Sequence, residues 1–398
     1  MTKRPADAPH ADAGEGRRRL PVVRSTASST PLPPLYAAWL DELIGAPTPA
    51  ETDSTCEDCA MCRLPPVEER WEPSVKCCTY MPYLPNFLVG GILVDRRLRG
   101  GASVRARIEA TDGITPLGAA ATTPYRALYR QSRAAFGRAA TLRCPHLEDD
   151  GTCGIWAYRN GVCATYFCLP VRDEVGRRFW HATRELFAEL EDELAVSCLL
   201  ELEVEPEVIA ASLRGRDRHH EAARDELGSL GGAVAVPDRR RVWGRWIGRE
   251  RELYARCFEK VSAMRWTDVS SRCGPRVSAR AAAVKQAHAE LVSTSLPERL
   301  RLARVQVETV RTEPLVLSLQ APGRFRGIEA EQALFDALTR FDGRTIDDVL
   351  AGLARDGVRI ERATVATLVD LGILVETQGA DSASGATHAP APSTRRRR

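Results

Sequence analysis

The period of the apolar residues changes several times along the chain. Leu186, Leu190 and Leu194 recur every fourth residue beside a stripe of Glu185, Glu189 and Glu193, which predicts an amphipathic helix after Cys168, with Trp180 and Phe187 on its core face. Tyr125, Leu128, Tyr129 and Phe136 share that spacing and predict a helix leading into Cys144. Pro206 to Leu227 and Val242 to Val261 read as two further helices, separated by the Gly-rich loop Gly228 to Pro237. Two stretches look extended instead. Gly90 to Val94 and Ala102 to Ala110, where Val104, Ala106 and Ile108 alternate with arginines, flank the turn signal Arg99-Gly100-Gly101 and predict a small hairpin. Near the end, Val305, Val307 and Leu315-Val316-Leu317 predict paired strands, then helices near 328–340, 345–355 and 361–371, and a closing strand Gly372-Ile373-Leu374-Val375.

Together these elements predict an α+β protein in five parts. Residues 1–34 form a disordered tail, and 35–200 a loop-rich cysteine domain that binds metal and contains the hairpin. A mainly helical region spans 201–300, a winged-helix-like domain 301–378, and a disordered Arg-ended tail 379–398. Charge sharpens this division. The formal net charge is only +3, yet residues 1–24 and 379–398 carry +3 each, so the body over 25–378 stands at −3. That body lacks the basic excess of a phosphate-tracking surface, which argues against nucleic-acid binding. The N-terminal stretch has no apolar core of a secretory signal, and the longest apolar run, Tyr83 to Val94, is too short to span a bilayer. The expectation is a cytoplasmic protein without membrane contact.

A reducing compartment gives the cysteines their meaning. Of twelve, nine fall between Cys56 and Cys168, as Cys56, Cys59, Cys62, Cys77 and Cys78, then Cys144, Cys153, Cys163 and Cys168. Thiols in such a compartment serve as metal ligands or catalytic groups more often than as disulfides. Two-residue spacing lets one tight loop present successive sulfurs to one centre. Three such thiols resemble the contribution of a ferredoxin-type loop to an iron–sulfur cluster, with Cys77 or Cys78 as fourth ligand. Zinc competes, because it takes four thiolates tetrahedrally in any chain order. Asp149-Asp150-Gly151 is a turn signal folding Cys144 back toward Cys153, so the second group of four can converge as well. Cys198, Cys257 and Cys273 read as small buried hydrophobes.

The second group carries a resemblance. Cys144-Pro145-His146-Leu147, Gly151-Thr152-Cys153-Gly154-Ile155-Trp156, Arg159, Cys163 and Phe167-Cys168 resemble the YkgJ-like cysteine-cluster family, the CxxCxxCC-type zinc- or iron-chelating domain. The resemblance covers about residues 56–168. It implies a zinc or iron–sulfur site and no shared reaction. Arg63 to Lys76 separate the early cysteines from the Cys77-Cys78 pair, and Asn160-Gly161 replaces a proline common after the arginine, so the chain looks like a divergent branch. More faintly, Leu338-Thr339-Arg340-Phe341-Asp342-Gly343-Arg344-Thr345 and Leu371-Gly372-Ile373-Leu374 are similar to PqqD-like peptide-recognition domains of winged-helix form.

Two functional readings follow. The first is a metal-binding protein holding an iron–sulfur cluster or zinc through Cys56, Cys59, Cys62, Cys77, Cys78, Cys144, Cys153, Cys163 and Cys168, with no catalytic residue assigned. The second is a redox or peptide-modifying enzyme or regulator, whose C-terminal domain recognises a peptide or protein partner. His146 is a candidate ligand or base beside Cys144, whereas His219-His220 reads as part of a solvated face. Tyr80, Tyr83 and Tyr166 read as packing. No phosphate loop, dinucleotide fingerprint or nucleophile elbow occurs in the sequence.

Overall fold

A computed structural model of the chain describes residues 32–51, 59–63, 65, 67–214, 239–324 and 326–377, and these form an α+β fold. Cys56, His219-His220, the continuation of the expected helix beyond 214, the loop over 228–237 and most of both expected tails lie outside the described residues. Leu32, inside the expected N-terminal tail, is buried in the main core.

That core is helical. α1 (Pro34–Ile44) starts with proline at its first position, where no amide partner is needed, and stops at Gly45 with φ 69°, a left-handed cap that glycine adopts without strain. Its Tyr36 ring stacks on Phe187 with centroids 4.4 Å apart.

The expected hairpin is absent from 90–110. Both stretches are helices, α2 (Asn86–Val94) and α3 (Gly101–Ala110). Asn86 to Ile92 are all buried, so α2 is apolar all round and carries no helical stripe that could be read. Its glycines serve close packing rather than a turn: a Cβ on Gly90 would lie 2.0 Å from the Tyr254 carbonyl oxygen, and one on Gly91 2.3 Å from the Tyr158 ring. In α3, Val104 and Ile108 share a buried face at four-residue spacing. The hairpin of this region lies further on, where β2 (Ile114–Thr115) and β3 (Gly118–Ala119) pair beside β1 (Leu84–Pro85) in the order β1-β3-β2.

α4 (Thr123–Ser132) occupies the helix expected before Cys144, and α5 (Gly161–Ala164) is a single turn carrying Cys163. α6 (Glu174–Glu201) then runs 28 residues with Leu186, Leu190 and Leu194 buried, as the leucine repeat predicts. After α7, helical over the described residues 206–214, the expected helix over 242–261 is split. α8 (Arg239–Trp243) passes through a 3-10 turn, and α9 (Glu250–Ser262) starts afresh, because Gly244 and Gly248 adopt φ of 49° and 77°. α9 packs against α2; α10 (Trp266–Arg272) follows, and α11 (Pro275–Val292) lies along α6.

The C-terminal unit has its own core, including Leu300, Leu319, Phe341, Leu353, Leu368 and Ile373. Six strands form two antiparallel sheets. One, ordered β8-β4-β9, joins β4 (Arg299–Leu302), β8 (Asp342–Thr345) and β9 (Leu374–Glu376). The other, ordered β5-β6-β7, joins β5 (Gln306–Thr312), β6 (Leu315–Gln320) and β7 (Gly327–Glu331). Three helices complete it, α12 (Gln332–Leu338), α13 (Ile346–Arg355) and α14 (Arg362–Asp370). The first expected helix thus begins as strand β7, because residues 327–331 pair with β6. Arg172, just before α6, joins the two units: it grips Asp370 through two bonds of 2.8 and 3.0 Å and donates to the Leu291 and Ser293 carbonyls. No helix among the described residues is long and apolar enough to cross a membrane.

Candidate metal centres

The eleven described cysteines are all reduced. Cys198 and Cys257 sit in the main core, where the Cys198 thiol donates to the Cys257 carbonyl at 3.8 Å, and Cys273 packs on its edge beside Glu193. The other eight gather in the lobe formed by residues 59–168, in two neighbourhoods that meet at Cys77-Cys78.

The first is assembled on aromatic rings. A 3-10 turn over Ala60–Cys62 carries the Cys59–Cys62 loop, with the Cys62 amide on the Cys59 carbonyl at 3.0 Å, and the Trp71 amide binds the Met61 carbonyl at 3.1 Å. Trp71 meets Phe136 edge-on at 5.4 Å and faces Tyr166 at 6.3 Å. Cys59, Met61 and Trp71 are buried together, and Cys62, Cys77, Phe136 and Cys168 pack against them. Gly137 is required here, since with φ 76° its Cβ would lie 2.6 Å from the Trp71 indole. Burial, then a hydrogen bond from its thiol to Cys59, pushes Cys62 up to about 11.

The second is assembled on the main core. Lys76 takes a left-handed φ of 50° immediately before the Cys pair, and the Cys78 carbonyl then accepts the Cys144 amide at 2.7 Å. The expected turn forms: Glu148 binds the Thr152 carbonyl at 2.9 Å, and Leu147 bridges Cys153 in antiparallel fashion, bringing Cys144 and Cys153 together. Asn160 caps α5 by accepting the Cys163 amide at 3.1 Å. Beneath α5, the buried Glu191 carboxyl of α6 accepts from Tyr36 and from the Gly161 amide. Gly161 admits no side chain, because a Cβ would sit 2.5 Å from Phe187 Cβ.

Electrostatics bind Cys78, Cys144, Cys153 and Cys163 into one group. Burial pushes Cys144 up to about 12, with Cys78 and Cys153 adding to the rise, and it raises Cys163 further, with Cys144, Cys153 and Cys78 contributing. Cys78 goes the other way, to about 7, held there by a hydrogen bond from the Cys77 thiol and by Arg159, Lys76 and Arg143.

Buried nitrogens beside this group lack partners. Arg107 Nε and Nη1, Arg159 Nε and His146 Nε2 are buried without a hydrogen bond, and His146 as a residue is 1 % exposed. Arg107 interacts with Cys144, and Arg159 with Cys78 and Cys163. Ser103 donates its proton to the Gly100 carbonyl at 2.8 Å, so His146 Nδ1–H must donate to Ser103 Oγ at 3.0 Å, which leaves Nε2 a bare lone pair. Burial drops this imidazole to about 4 and keeps it neutral. Arg107 also donates through Nη2 to the Ala120 carbonyl, and the Arg159 guanidinium lies over the Trp156 ring at 5.2 Å, so thiolates nearby would add to contacts these cations already make. Thiols with cationic neighbours are the donor chemistry that a zinc or iron–sulfur centre would use. Among the described residues no three His, Cys, Asp or Glu donors meet as a set that could hold an ion as they stand.

Sequence order groups Cys168 with Cys144, Cys153 and Cys163, and leaves the choice between Cys77 and Cys78 open. The structure brings Cys168 to Cys59, Cys62 and Cys77, and Cys78 to the later cysteines. Sequence reasoning missed Arg107, Glu191 and Tyr36, which have no motif; their only signal is burial of charge. No protein-family model, curated protein or solved structure matches this chain.

Proposed function

We propose that the protein is a cytoplasmic metal-binding protein of the cysteine-cluster type, which holds an iron–sulfur cluster or zinc through thiolates of the 59–168 lobe. The observation that carries this reading is the gathering of eight thiols in one lobe with partnerless buried nitrogens of Arg107, Arg159 and His146 beside four of them. Cys78 is the natural first ligand, since its thiolate is available near neutral pH. A metal held by these thiols would favour their deprotonated forms, as Arg159, Lys76 and Arg143 already do for Cys78. Arg107 and Arg159 offset the negative charge of the thiolates. The likeness of Cys144-Pro145-His146-Leu147 and its sequel to YkgJ-like proteins agrees with this chemistry. Bound zinc would supply a closed tetrahedral anchor; a bound iron–sulfur cluster would supply one-electron chemistry.

Elemental analysis and absorption spectroscopy on protein purified without oxygen test the reading. Iron with acid-labile sulfide, or stoichiometric zinc in a colourless protein, supports it, and a chain free of both metals sinks it.

A second reading concerns the C-terminal unit as a winged-helix-like, PqqD-like peptide reader. Its support is β5, a sheet edge on which all seven residues are exposed, including Val307 and Val310. An edge of this kind accepts an added strand. Enrichment of one peptide class from a random library by the full chain, lost in Val310→Pro, is the expected result; equal enrichment by both chains would refute it.

A further inference from the structure

We infer that the strap of residues 169–174, which carries the chain from Cys168 into α6, is a strained latch between the cysteine lobe and the C-terminal unit. Clasped, it holds the C-terminal unit docked and Cys168 in place; unclasped, it frees both. The latch belongs to the chain without any metal, so it stands apart from the thiolate–metal reading above.

The backbone of the strap is held where side chains disfavour it. Arg172 has φ 61° and Asp173 φ 46°, two neighbouring left-handed residues of which neither is glycine. In that region Cβ crowds the carbonyl oxygen, so such a pair persists only where its surroundings fix it. They do so from both sides. The Val171 amide binds the Glu51 carboxylate at 2.7 Å, and the Asp173 amide folds back onto the Pro170 carbonyl at 3.0 Å. Gly176 lies so close that a Cβ there would sit 2.0 Å from the Val171 carbonyl oxygen. Leu169 and Pro170 are buried. A shift of Cys168 is therefore passed along the strap to Arg172 rather than absorbed within it.

Two clasps on the C-terminal unit oppose the strain. In the first, Arg172 grips Asp370 of α14 through both guanidinium nitrogens while donating to the carbonyls at the end of α11. In the second, Arg324, which follows β6, reaches Asp173 at 3.2 Å and Glu174 at 3.1 Å. Asp173 is buried, and its other cation is Arg177 of α6. Arg172, Asp370 and Arg324 are all mostly shielded from solvent, so salt and water weaken these pairs less than exposed ones. Strain favours release and the clasps favour docking, which makes the strap an element with two arrangements. The C-terminal unit contains no cysteine, and Asp370 is 198 residues from Arg172 in sequence, so an effect of Asp370 on Cys168 is an effect at a distance.

The test follows iodoacetamide labelling of individual thiols by mass spectrometry, on the full chain after chelation and reduction. Cys168 is half-buried, so its labelling rate reports how often the strap opens. Asp370→Ala should speed labelling of Cys168 about fivefold or more, the lower end of coupling between distant sites. Cys153, also half-buried but held by its bridge to Leu147, should label at an unchanged rate. Arg324→Gln opens the second clasp and should show the same selectivity, and Asp370→Asn, which keeps one acceptor for Arg172, should fall between Asp370→Ala and the unaltered chain. No acceleration at Cys168 in Asp370→Ala and Arg324→Gln overturns the latch, and so does equal acceleration at Cys153, which would mean general loosening. Because a variant can fail to fold, the unaltered chain provides a second measurement. Raising salt to about 1 M screens the clasps and should speed Cys168 relative to Cys153; a ratio that does not change with salt overturns the latch. Both measurements use metal-free chain, so their outcome is independent of whether the thiols bind metal.

Discussion

The two thiol neighbourhoods are built on unlike foundations. The later one rests on the main core: Cys144 is buried and Cys163 half-buried, α5 stands on α6, and Glu191, Asn160 and Gly161 fix the turn that presents Cys163. The earlier one rests on three buried residues, Cys59, Met61 and Trp71, behind a half-exposed Tyr166. Three residues bury too little apolar surface to hold a loop by themselves. In the later group the fold itself positions the thiols. In the earlier group a metal, on the proposed reading, would supply much of the order, as in small domains whose binding and folding are one event.

The largest expected effect comes from removing metal altogether. Chelation should abolish hydrogen-exchange protection over residues 59–78 and leave α2 and α6 protected; equal loss in both regions would end the comparison. Next is Trp71→Ala. It removes the centrepiece of the earlier cluster, so about 3 kcal/mol of local stability should be lost, the low end for a buried tryptophan. On the proposed metal reading, Trp71→Ala should weaken metal retention through Cys59, Cys62, Cys77 and Cys168 more than retention through the later thiols. Gly161→Ala has the reverse selectivity. The added methyl meets Phe187 Cβ, and overpacking of this kind costs about 2 kcal/mol, read as a lower melting temperature and weaker metal retention by the later group only.

Sequence pattern made one kind of feature visible and hid another. The leucine repeat of α6 and the Asp149-Asp150-Gly151 turn are local, and they are found where local rules put them. Gly90-Gly91 reads as extended because its reason lies elsewhere: α2 approaches α9 so closely that only glycine fits beneath Tyr254 and Phe258, more than 160 residues along the chain. α2 is also apolar on every side, which erases the helical period. The break between α8 and α9 depends on two positive-φ glycines that a helical count passes over. All eight described cysteine candidates were legible as a cluster from their density alone. Their division was not, because it is set by the path of Tyr166–Cys168 across Trp71 and by the Cys144–Cys78 backbone bond, neither of which leaves a spacing in the sequence.

A pH series probes the same foundation more gently. Burial lifts the Glu191 carboxyl from 4.5 to about 8, against the pull of Tyr36 and the Gly161 amide. Its folded pKa thus lies above its unfolded one, so its contribution to stability is complete below about 4.5 and declines as pH rises through 8. Denaturant melts of the full chain should show that decline, and Glu191→Gln, which keeps an acceptor for both donors but cannot ionise, should flatten it. An unchanged slope in the variant would show that the carboxyl does not titrate in this window.

The smallest change tests the support of a single ligand. α5 has only four residues, so the bond from the Cys163 amide to Asn160 Oδ1 is a large share of what holds it. Asn160 is 3 % exposed, so water cannot replace that acceptor once the side chain is gone. Asn160→Ala should cost about 1 kcal/mol, the usual loss for a helix N-cap. On the proposed metal reading, with Cys163 a ligand beside Cys78, Cys144 and Cys153, the loss should appear as faster release of metal from that group to a chelator, with release from the earlier group unchanged. Asn160→Ser restores a capping oxygen at the same position and should recover most of the retention. If Asn160→Ala instead releases metal from both groups alike, the two neighbourhoods share one support and the contrast between them is lost.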